Sequence, residues 1–590
     1  MGFMAKYSLA ACLPSKSGSV MHSFPVLDSR IGCSIFSFQV LCLVLNLATM
    51  GHAQMVGGQW QDRHRMSGPS VGSWFGTALA GAADVNGDGI FDFAVGAPQH
   101  SPGGLLAAGS VFVYSGLDGS LIWHLAGPFE DIGMGWDVDL ADFNGDGFAD
   151  ILTGAPGPTG GAGAAYVWSG QSGALLYTVT SAGSRFFGES VDAVGDLNGD
   201  GTPDFLIGAS DTFLGGLSYA GIAEAYSGSD GSLIYRWEGN NAFDNFGDSV
   251  SGLGDLNGDG IEDIGIGIPG YDAVIDREGA VALYDGASGN PIVAFYVAYG
   301  PFQQFGASLS GAGDVNADGT PDILVGANVA SAVSSFDYAG RAYVLDGSNL
   351  NVLYDAVGDP GDWLGDAVGP AGDVNGDGFA DFLFGAYQSI HSGTSDGNGY
   401  IDLYSGFDGS LIQHFEGDAS EDHLHEIGYA GDINGDGEPD LLLGAENFGD
   451  LEYVRVVGLD AFLYLSSDQL SSSSGTPVLA DLDFPDSEAG SAYAVLLSAT
   501  GTGPVTVNGL QIPLTADNLL NRMLSGWAPF LLSGSPGSLD AFGDGAAVFH
   551  SDPVLAAYLG RKFFVAAVSF DAGSQSGRLS SISREIEIIP

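Results

Sequence analysis

The stretch Asp84-Val85-Asn86-Gly87-Asp88-Gly89-Ile90-Phe91-Asp92 decides the fold because it recurs. Seven copies begin at Asp84, Asp142, Asp196, Asp255, Asp314, Asp373 and Asp432, spaced 54 to 59 residues apart. Every copy keeps Asp at position 1, Asn at 3, Asp at 5, Gly at 6 and Asp at 9; position 4 is Gly in all but one, where Ala317 stands. A long fixed period marks a repeat architecture, in which each unit buries its apolar surface against its neighbours.

The flanks of the loop repeat as well. Nine residues before the first Asp stand Phe75-Gly76, Phe187-Gly188, Phe246-Gly247, Phe305-Gly306 and Leu364-Gly365. Copy two has Met134-Gly135 one residue closer, and copy seven has His423-Leu424 in that place. A short alternating stretch such as Ser249-Val250-Ser251-Gly252-Leu253 then leads into the loop, a strand pattern. After the loop come bulky apolar runs, among them Phe93-Ala94-Val95, Phe205-Leu206-Ile207, Ile323-Leu324-Val325 and Leu441-Leu442-Leu443, each ending in Gly-Ala or a close variant. Such runs read as buried strands. A variable loop, a third strand, a tight turn (Val111 to Gly119 in the first repeat) and a fourth strand (Ser120 to His124) complete the unit. Four-stranded units repeated seven times predict an all-β, seven-bladed β-propeller. The segment from Gln59 to Met66 lies where a fourth strand would precede the first Phe-Gly, yet it has no earlier blade to join, and the seventh repeat shows only three strands. Residues 59–66 are therefore expected to complete blade seven, leaving no open sheet edge.

The loop chemistry points to a hard cation. Calcium takes six to eight oxygen ligands from carboxylates, amides and backbone carbonyls. The side chains at positions 1, 3, 5 and 9 and the carbonyl at position 7 form the candidate set. These are Asp84, Asn86, Asp88, Ile90 and Asp92; Asp142, Asn144, Asp146, Phe148 and Asp150; Asp196, Asn198, Asp200, Thr202 and Asp204; Asp255, Asn257, Asp259, Ile261 and Asp263; Asp314, Asn316, Asp318, Thr320 and Asp322; Asp373, Asn375, Asp377, Phe379 and Asp381; and Asp432, Asn434, Asp436, Glu438 and Asp440. Up to seven calcium ions are expected. Magnesium fits less well because it demands a rigid octahedron with retained water, and zinc would want His or Cys. The loop is not an EF-hand, which needs Glu at position 12 and helical flanks; position 12 here is Val95, Thr153, Ile207, Ile266, Val325, Phe384 and Leu443. A metal-free Asx turn would account for one copy but not for seven alike.

Composition sets further bounds. Across 590 residues, 72 Asp plus Glu stand against 15 Lys plus Arg, a net charge of −57. That balance argues against nucleic acid, whose phosphates need Lys and Arg, and against docking on anionic lipid. The three cysteines, Cys12, Cys33 and Cys42, all precede residue 54. An uncharged apolar run from Cys33 to Thr49 follows Arg30 and precedes Gly51-His52-Ala53, the pattern of a secretory signal peptide over residues 1–53. Its removal would leave a chain without cysteine and without a transmembrane span; the oligomeric state stays open.

Phe-Gly, Asp-x-Asn-Gly-Asp-Gly-x-x-Asp and Gly-Ala-Pro in this order resemble FG-GAP repeats, over about residues 54–460. The resemblance implies the seven-bladed propeller of integrin α subunits and of many secreted bacterial proteins. It also implies calcium at positions 1, 3, 5 and 9 of every copy, and ligand binding on the face away from the calcium. Residues 461–590 read as a small C-terminal β-sandwich with one helix near Ala516–Leu524, and the stretch from Ala494 to Thr502 resembles a C-terminal module of secreted bacterial repeat proteins.

No catalytic constellation stands out. Gly393-Thr394-Ser395-Asp396-Gly397 matches a hydrolase elbow but lacks its strand-to-helix context. His423 and His425 alternate on one strand face and read as solvated or capping groups, since no third metal ligand is apparent. Most acid pairs fall in the loops. Strand alternation puts the calcium loops on one face and the variable loops on the other, with Phe213, Tyr219, Tyr271, Phe336, Tyr338, Tyr387 and Tyr400 offered to sugar or peptide, or else to inter-blade packing. The function expected is non-enzymatic: a secreted or cell-surface binding or adhesion protein for a protein or polysaccharide ligand. The rivals are a secreted enzyme resembling a polysaccharide lyase or phospholipase, and a structural surface component.

Overall fold

A computed structural model describes residues 58–461, apart from 158–160, 273–277, 297–302, 331–337, 389–396 and 447–451, and beyond 461 it describes a set of strands. Residues 58–461 form seven four-stranded antiparallel sheets. Blade one, the pattern for the rest, consists of Leu79–Ala83, Asp92–Ala97, Ser110–Tyr114 and Leu121–Ala126 in that spatial order. The inner strands touch in sequence from blade one round to blade seven and back to blade one, so the sheets form a closed ring.

Burial follows position within the blade. Strand two is fully buried, as in Asp92–Ala97, Asp150–Ala155 and Asp204–Ala209, because both of its faces meet a neighbouring blade. The two-residue period then feeds two different cores. In blade two Ile151 and Ala155 pack with blade one, while Leu152 packs with blade three. Seven apolar clusters result, one at each blade interface.

The Phe-Gly and Gly-Ala signatures are the two halves of one contact. Phe75, Met134, Phe187, Phe305 and Leu424 are completely buried in these clusters. The glycine of Gly-Ala admits the next blade's backbone. A Cβ on Gly154 would lie 1.9 Å from the Gly188 carbonyl oxygen, and one on Gly208 would lie 2.1 Å from that of Gly247. Blade seven obeys the same rule with a shifted register. Leu424, not His423, takes the buried Phe place, and His425 takes the Gly place, its carbonyl 2.2 Å from where a Cβ on Gly385 would be. The inner strand of blade seven thus packs as the others do despite its lost Phe-Gly.

Closure takes the expected form. Gly58–Ser67 pairs antiparallel with Tyr453–Ala461 as the outer strand of blade seven, completing Leu424–Gly431 and Asp440–Ala445. The register slips between Asp62 and His64, leaving Arg63 as a bulged residue. Trp60 meets Phe415 of blade six edge-on at 5.2 Å.

Beyond the propeller, Leu463–Leu465, Val478–Asp483, Asp544–Phe549 and Leu532–Ser533 form one sheet; Lys562–Phe570, Ala492–Ser498 and Arg584–Ile589 lie in a second. The expected helix near Ala516–Leu524, the signal segment 1–53 and most of the elbow at 393–397 lie outside the described residues. Among the described residues no helix is long and apolar enough to cross a membrane.

The close approach at strand two yields a test. Gly208→Ala should destabilise the propeller by about 1–3 kcal/mol, the usual cost of overpacking. Denaturant midpoints at fixed calcium would read this, and an unchanged midpoint would refute the tight contact.

Candidate metal loops and the opposite face

Each Asp-rich loop joins strand one to strand two, so all seven lie on one face, in blades one to six beside the turn that joins strands three and four. The loop folds around its own acids. The position 1 carboxylate accepts the N–H of the position 6 glycine in all seven copies, as Asp84 does from Gly89 at 2.8 Å and Asp373 from Gly378 at 2.7 Å. The position 5 carboxylate accepts the N–H of position 7, as Asp88 does from Ile90 at 2.9 Å. Position 4 needs a left-handed backbone, which costs an L-residue more than glycine; Ala317 adopts it with φ 56°.

Position 9 clamps the loop to the rest of the blade. Asp92 is fully buried. Its Oδ2 accepts the N–H groups of Val85 at 2.8 Å and Asn86 at 3.1 Å, and its Oδ1 accepts the Asn86 amide at 3.2 Å and the Gly116 N–H at 3.1 Å. Gly116 belongs to the turn between strands three and four, so one carboxylate ties two loops together. Gly170, Gly228, Gly286, Gly347 and Gly406 do the same in blades two to six. Burial pushes the carboxyls of Asp92, Asp150, Asp204 and Asp322 up to about 6. In loop six burial is greater. Asp377 rises to about 7 through burial and then through repulsion from Asp373, and Asp381 rises well above the usual range for the same reasons.

Every donor in the set is a hard oxygen, and the acids of one loop repel one another, which is the chemistry of a divalent oxygen-liganded cation. The carboxylates are turned to N–H groups, and among the described residues no three His, Cys, Asp or Glu side chains converge as a ready-made metal cluster.

The opposite face carries exposed rings. Phe213 and Phe243 are 40% and 59% exposed, and Tyr219 stands between them, stacked on Phe243 at 5.5 Å and 19° and tilted against Phe213 at 5.4 Å. The Arg185 guanidinium lies over Phe213 at 4.7 Å. Backbone bonds hold this platform: Phe243 N–H to Ser218, Asn245 N–H to Tyr219, and Leu214 with Leu217 in both directions. Other rings named from the sequence are half-buried and packed against neighbours. Tyr400 packs on the blade six core and donates to Asp362 at 2.9 Å, Tyr271 packs on the core between blades three and four, and Tyr338 stacks on Trp363 at 5.2 Å. Phe336 lies outside the described residues.

The two histidines are not solvated. His423 is 2% and His425 3% exposed. His423 stacks on Tyr387 at 4.3 Å and donates from Nδ1 to its carbonyl. His425 donates from Nδ1 to the His423 carbonyl at 2.7 Å, and its Nε2 lies 3.4 Å from both Asp366 and Glu426. Burial works against a charged imidazole, but Glu426, Asp366 and Glu446 outweigh it and raise His425 to about 10.

A further set of acids lies outside the loops, near the propeller axis. Asp137 accepts the Val191 N–H at 2.7 Å, Asp139 that of Ala193 at 2.6 Å, and Asp192 that of Gly252 at 2.7 Å. Each carboxylate caps the free edge of the next blade's inner strand. Enclosure by protein, tempered by these N–H groups and aggravated by Asp139 and Glu426, raises Asp137 to about 7. The only sequence signal was the alternation Asp137-Val138-Asp139, since each partner lies 54 residues away.

Three segments, residues 75–114, 134–168 and 305–345, match the model of the FG-GAP repeat. Integrin alpha-V of Gallus gallus is 34% identical over 214 residues, covering 34% of this chain and 20% of that protein. Integrin alpha-2 of Bos taurus is 37% identical over 158 residues, covering 24% and 13%. Integrin alpha-5 of Xenopus laevis is 31% identical over 245 residues, covering 38% and 23%. The alignments thus span a small part of each relative's length. Three segments of the chain are thus similar to the FG-GAP repeat, and part of it is similar in sequence to integrin α chains, on sheets that form a seven-bladed propeller.

The axial acids predict a pH effect. A carboxyl raised in the folded state holds its proton more tightly there, so its contribution is present at low pH and is lost as pH rises from about 4 to about 7. Asp137→Asn, which keeps an acceptor for Val191, should remove roughly 1–2 kcal/mol of that loss once solvent access is allowed for. Stability of the two proteins measured from pH 5 to pH 8 would show the variant's curve as flatter; parallel curves would refute the assignment.

Proposed function

We propose that this chain is a secreted or cell-surface, calcium-stabilised FG-GAP propeller. It binds an extracellular protein or polysaccharide through the face opposite its calcium loops, and it does so without catalysis. The observation that carries the reading is the exposed Phe213–Tyr219–Phe243 platform beside Arg185, pre-formed by its loop's own backbone bonds. Exposed rings fixed before binding add contact area at little entropic cost, and aromatic residues with Arg dominate binding energy at interfaces. The relation to integrin α chains favours adhesion or binding over the rival enzyme.

Calcium would be held by the side chains at positions 1, 3, 5 and 9 and the carbonyl at position 7. When bound it supplies charge neutralisation. The chain's own residues do the remainder: position 1 bends the loop, position 5 fixes position 7, and position 9 ties the loop to the adjoining turn. Binding at position 9 would exchange the Asn amide donor for the cation. The C-terminal sheets are read as a β-sandwich, supported by the Tyr493 hydroxyl, which donates across from one sheet to the Ala546 carbonyl of the other at 2.6 Å.

Two experiments test this. Chelation of calcium should lower the melting temperature by about 10 °C or more and calcium should restore it, since each ligated site adds about 2.7 kcal/mol at a hundredfold excess over its dissociation constant; an unchanged melt would sink the calcium reading. Arrays of glycans and extracellular-matrix proteins with calcium present should yield a ligand whose affinity falls about tenfold or more in the Phe213→Ala/Phe243→Ala double variant, with the melt unchanged. Equal binding by the double variant would reject this face.

A further inference from the structure

Loop seven departs from the other six, and ring closure is the cause. In blades one to six a turn between strands three and four supplies the glycine N–H that clamps the position 9 carboxylate. Blade seven has no such turn, because its third strand comes from the end of the propeller sequence and its fourth from the beginning. Tyr453–Ala461 runs straight through the place of that turn, and Gly458 pairs with Gln61 in the ladder.

Arg63 stands where the missing donor would be. The bulge between Asp62 and His64 releases Arg63 from the ladder, and such bulges re-aim a side chain. Its Nε lies 3.5 Å from Asp440 Oδ1 and its Nη2 lies 3.4 Å from Asp436 Oδ2. These are positions 9 and 5 of the loop. The Arg63 side chain is 18% exposed and that of Asp440 2%, so the pair is largely shielded from solvent and salt. The loop has rearranged to match. In copies one to six the Asn at position 3 gives its amide to position 9, whereas Asn434 gives it to Asp436 at 3.1 Å.

We propose that Arg63 is a tethered cation that fills loop seven in place of calcium, so that six loops bind metal and the seventh is an internal ion pair locking the N-terminal strand into blade seven. The proposal rests on the calcium reading of the other loops. It also gives the ring a closure that does not depend on free calcium, since an arginine is always charged and cannot dissociate from its own strand.

Bound calcium counted by elemental mass spectrometry after equilibrium dialysis is the test, run on the full chain. The wild type should hold six ions per chain, and Arg63→Met, which keeps the aliphatic stem, should hold seven. Seven ions in the wild type, or six in Arg63→Met, would overturn the proposal. If Arg63→Met does not fold, two loop variants decide: Asp436→Asn should leave the count at six, whereas Asp259→Asn in loop four should lower it to five. A drop to the same degree in both would place metal in loop seven and overturn the proposal. No calcium in any variant would remove the calcium reading itself, an outcome distinct from a count of seven.

Discussion

Every blade is a sheet with two apolar faces, and that constraint governs the rest of the molecule. Strand two buries residues on both sides, so a blade alone would leave one or both faces in water, and only a closed ring gives each face a partner. The seven interfacial cores are therefore equivalent in kind and mutually dependent. The cluster between blades seven and one, built from Phe75, Phe93, Val95, Leu442 and Val454 among others, joins parts of the chain more than 300 residues apart. Its cost is loop closure, which grows only slowly with length; its return is the burial of the last two open faces. The glycine contacts at strand two, such as Gly154 against Gly188, set how closely neighbouring blades approach.

The acidic loops exploit the same scaffold. A buried carboxylate is stable only when its oxygens are satisfied, and Asp92 meets this with four donors from two separate loops. The repeated Asp at position 9 is thus a tie between strand hairpins as well as a candidate ligand. At the axis, Asp137, Asp139 and Asp192 perform a comparable task for inner-strand N–H groups that have no further strand to pair with. Much of the net charge of −57 is therefore structural, placed where the backbone needs acceptors and where one buried histidine, His425, supplies a counter-charge to Asp366 and Glu426.

What the sequence made legible is what repeats. The loop acids, the buried second strand and the Phe-Gly and Gly-Ala pairs recur with one period, so a local pattern seen seven times becomes a blade and a count. The closing strand from Gln59 to Met66 was legible by subtraction, because the repeat left it without a blade and blade seven without a strand. Features set by tertiary adjacency were not legible. Asp137 and Val191, Arg63 and Asp440, or Phe243 and Tyr219 meet only because blades curve into a ring. The histidines were misplaced for a related reason: with no third metal ligand in the sequence they read as solvated or capping groups, but inner-strand faces look onto neighbouring blades and bury both.

Blade seven shows how a repeat is adjusted where it must close. Its Phe place is filled by Leu424 and its Gly place by His425, and its strand-three turn is absent, yet its core and its ladder match those of its neighbours. The compensations are all local to the join: a bulge that takes one residue out of the ladder register, a guanidinium that replaces a backbone donor, and an asparagine that changes partner. A hairpin turn holds its loop through the connectivity of the chain itself, whereas a join between distant segments has no such connection and must be held by attraction alone. An ion pair largely shielded from solvent serves that purpose at the one interface where the covalent chain does not run from strand three to strand four.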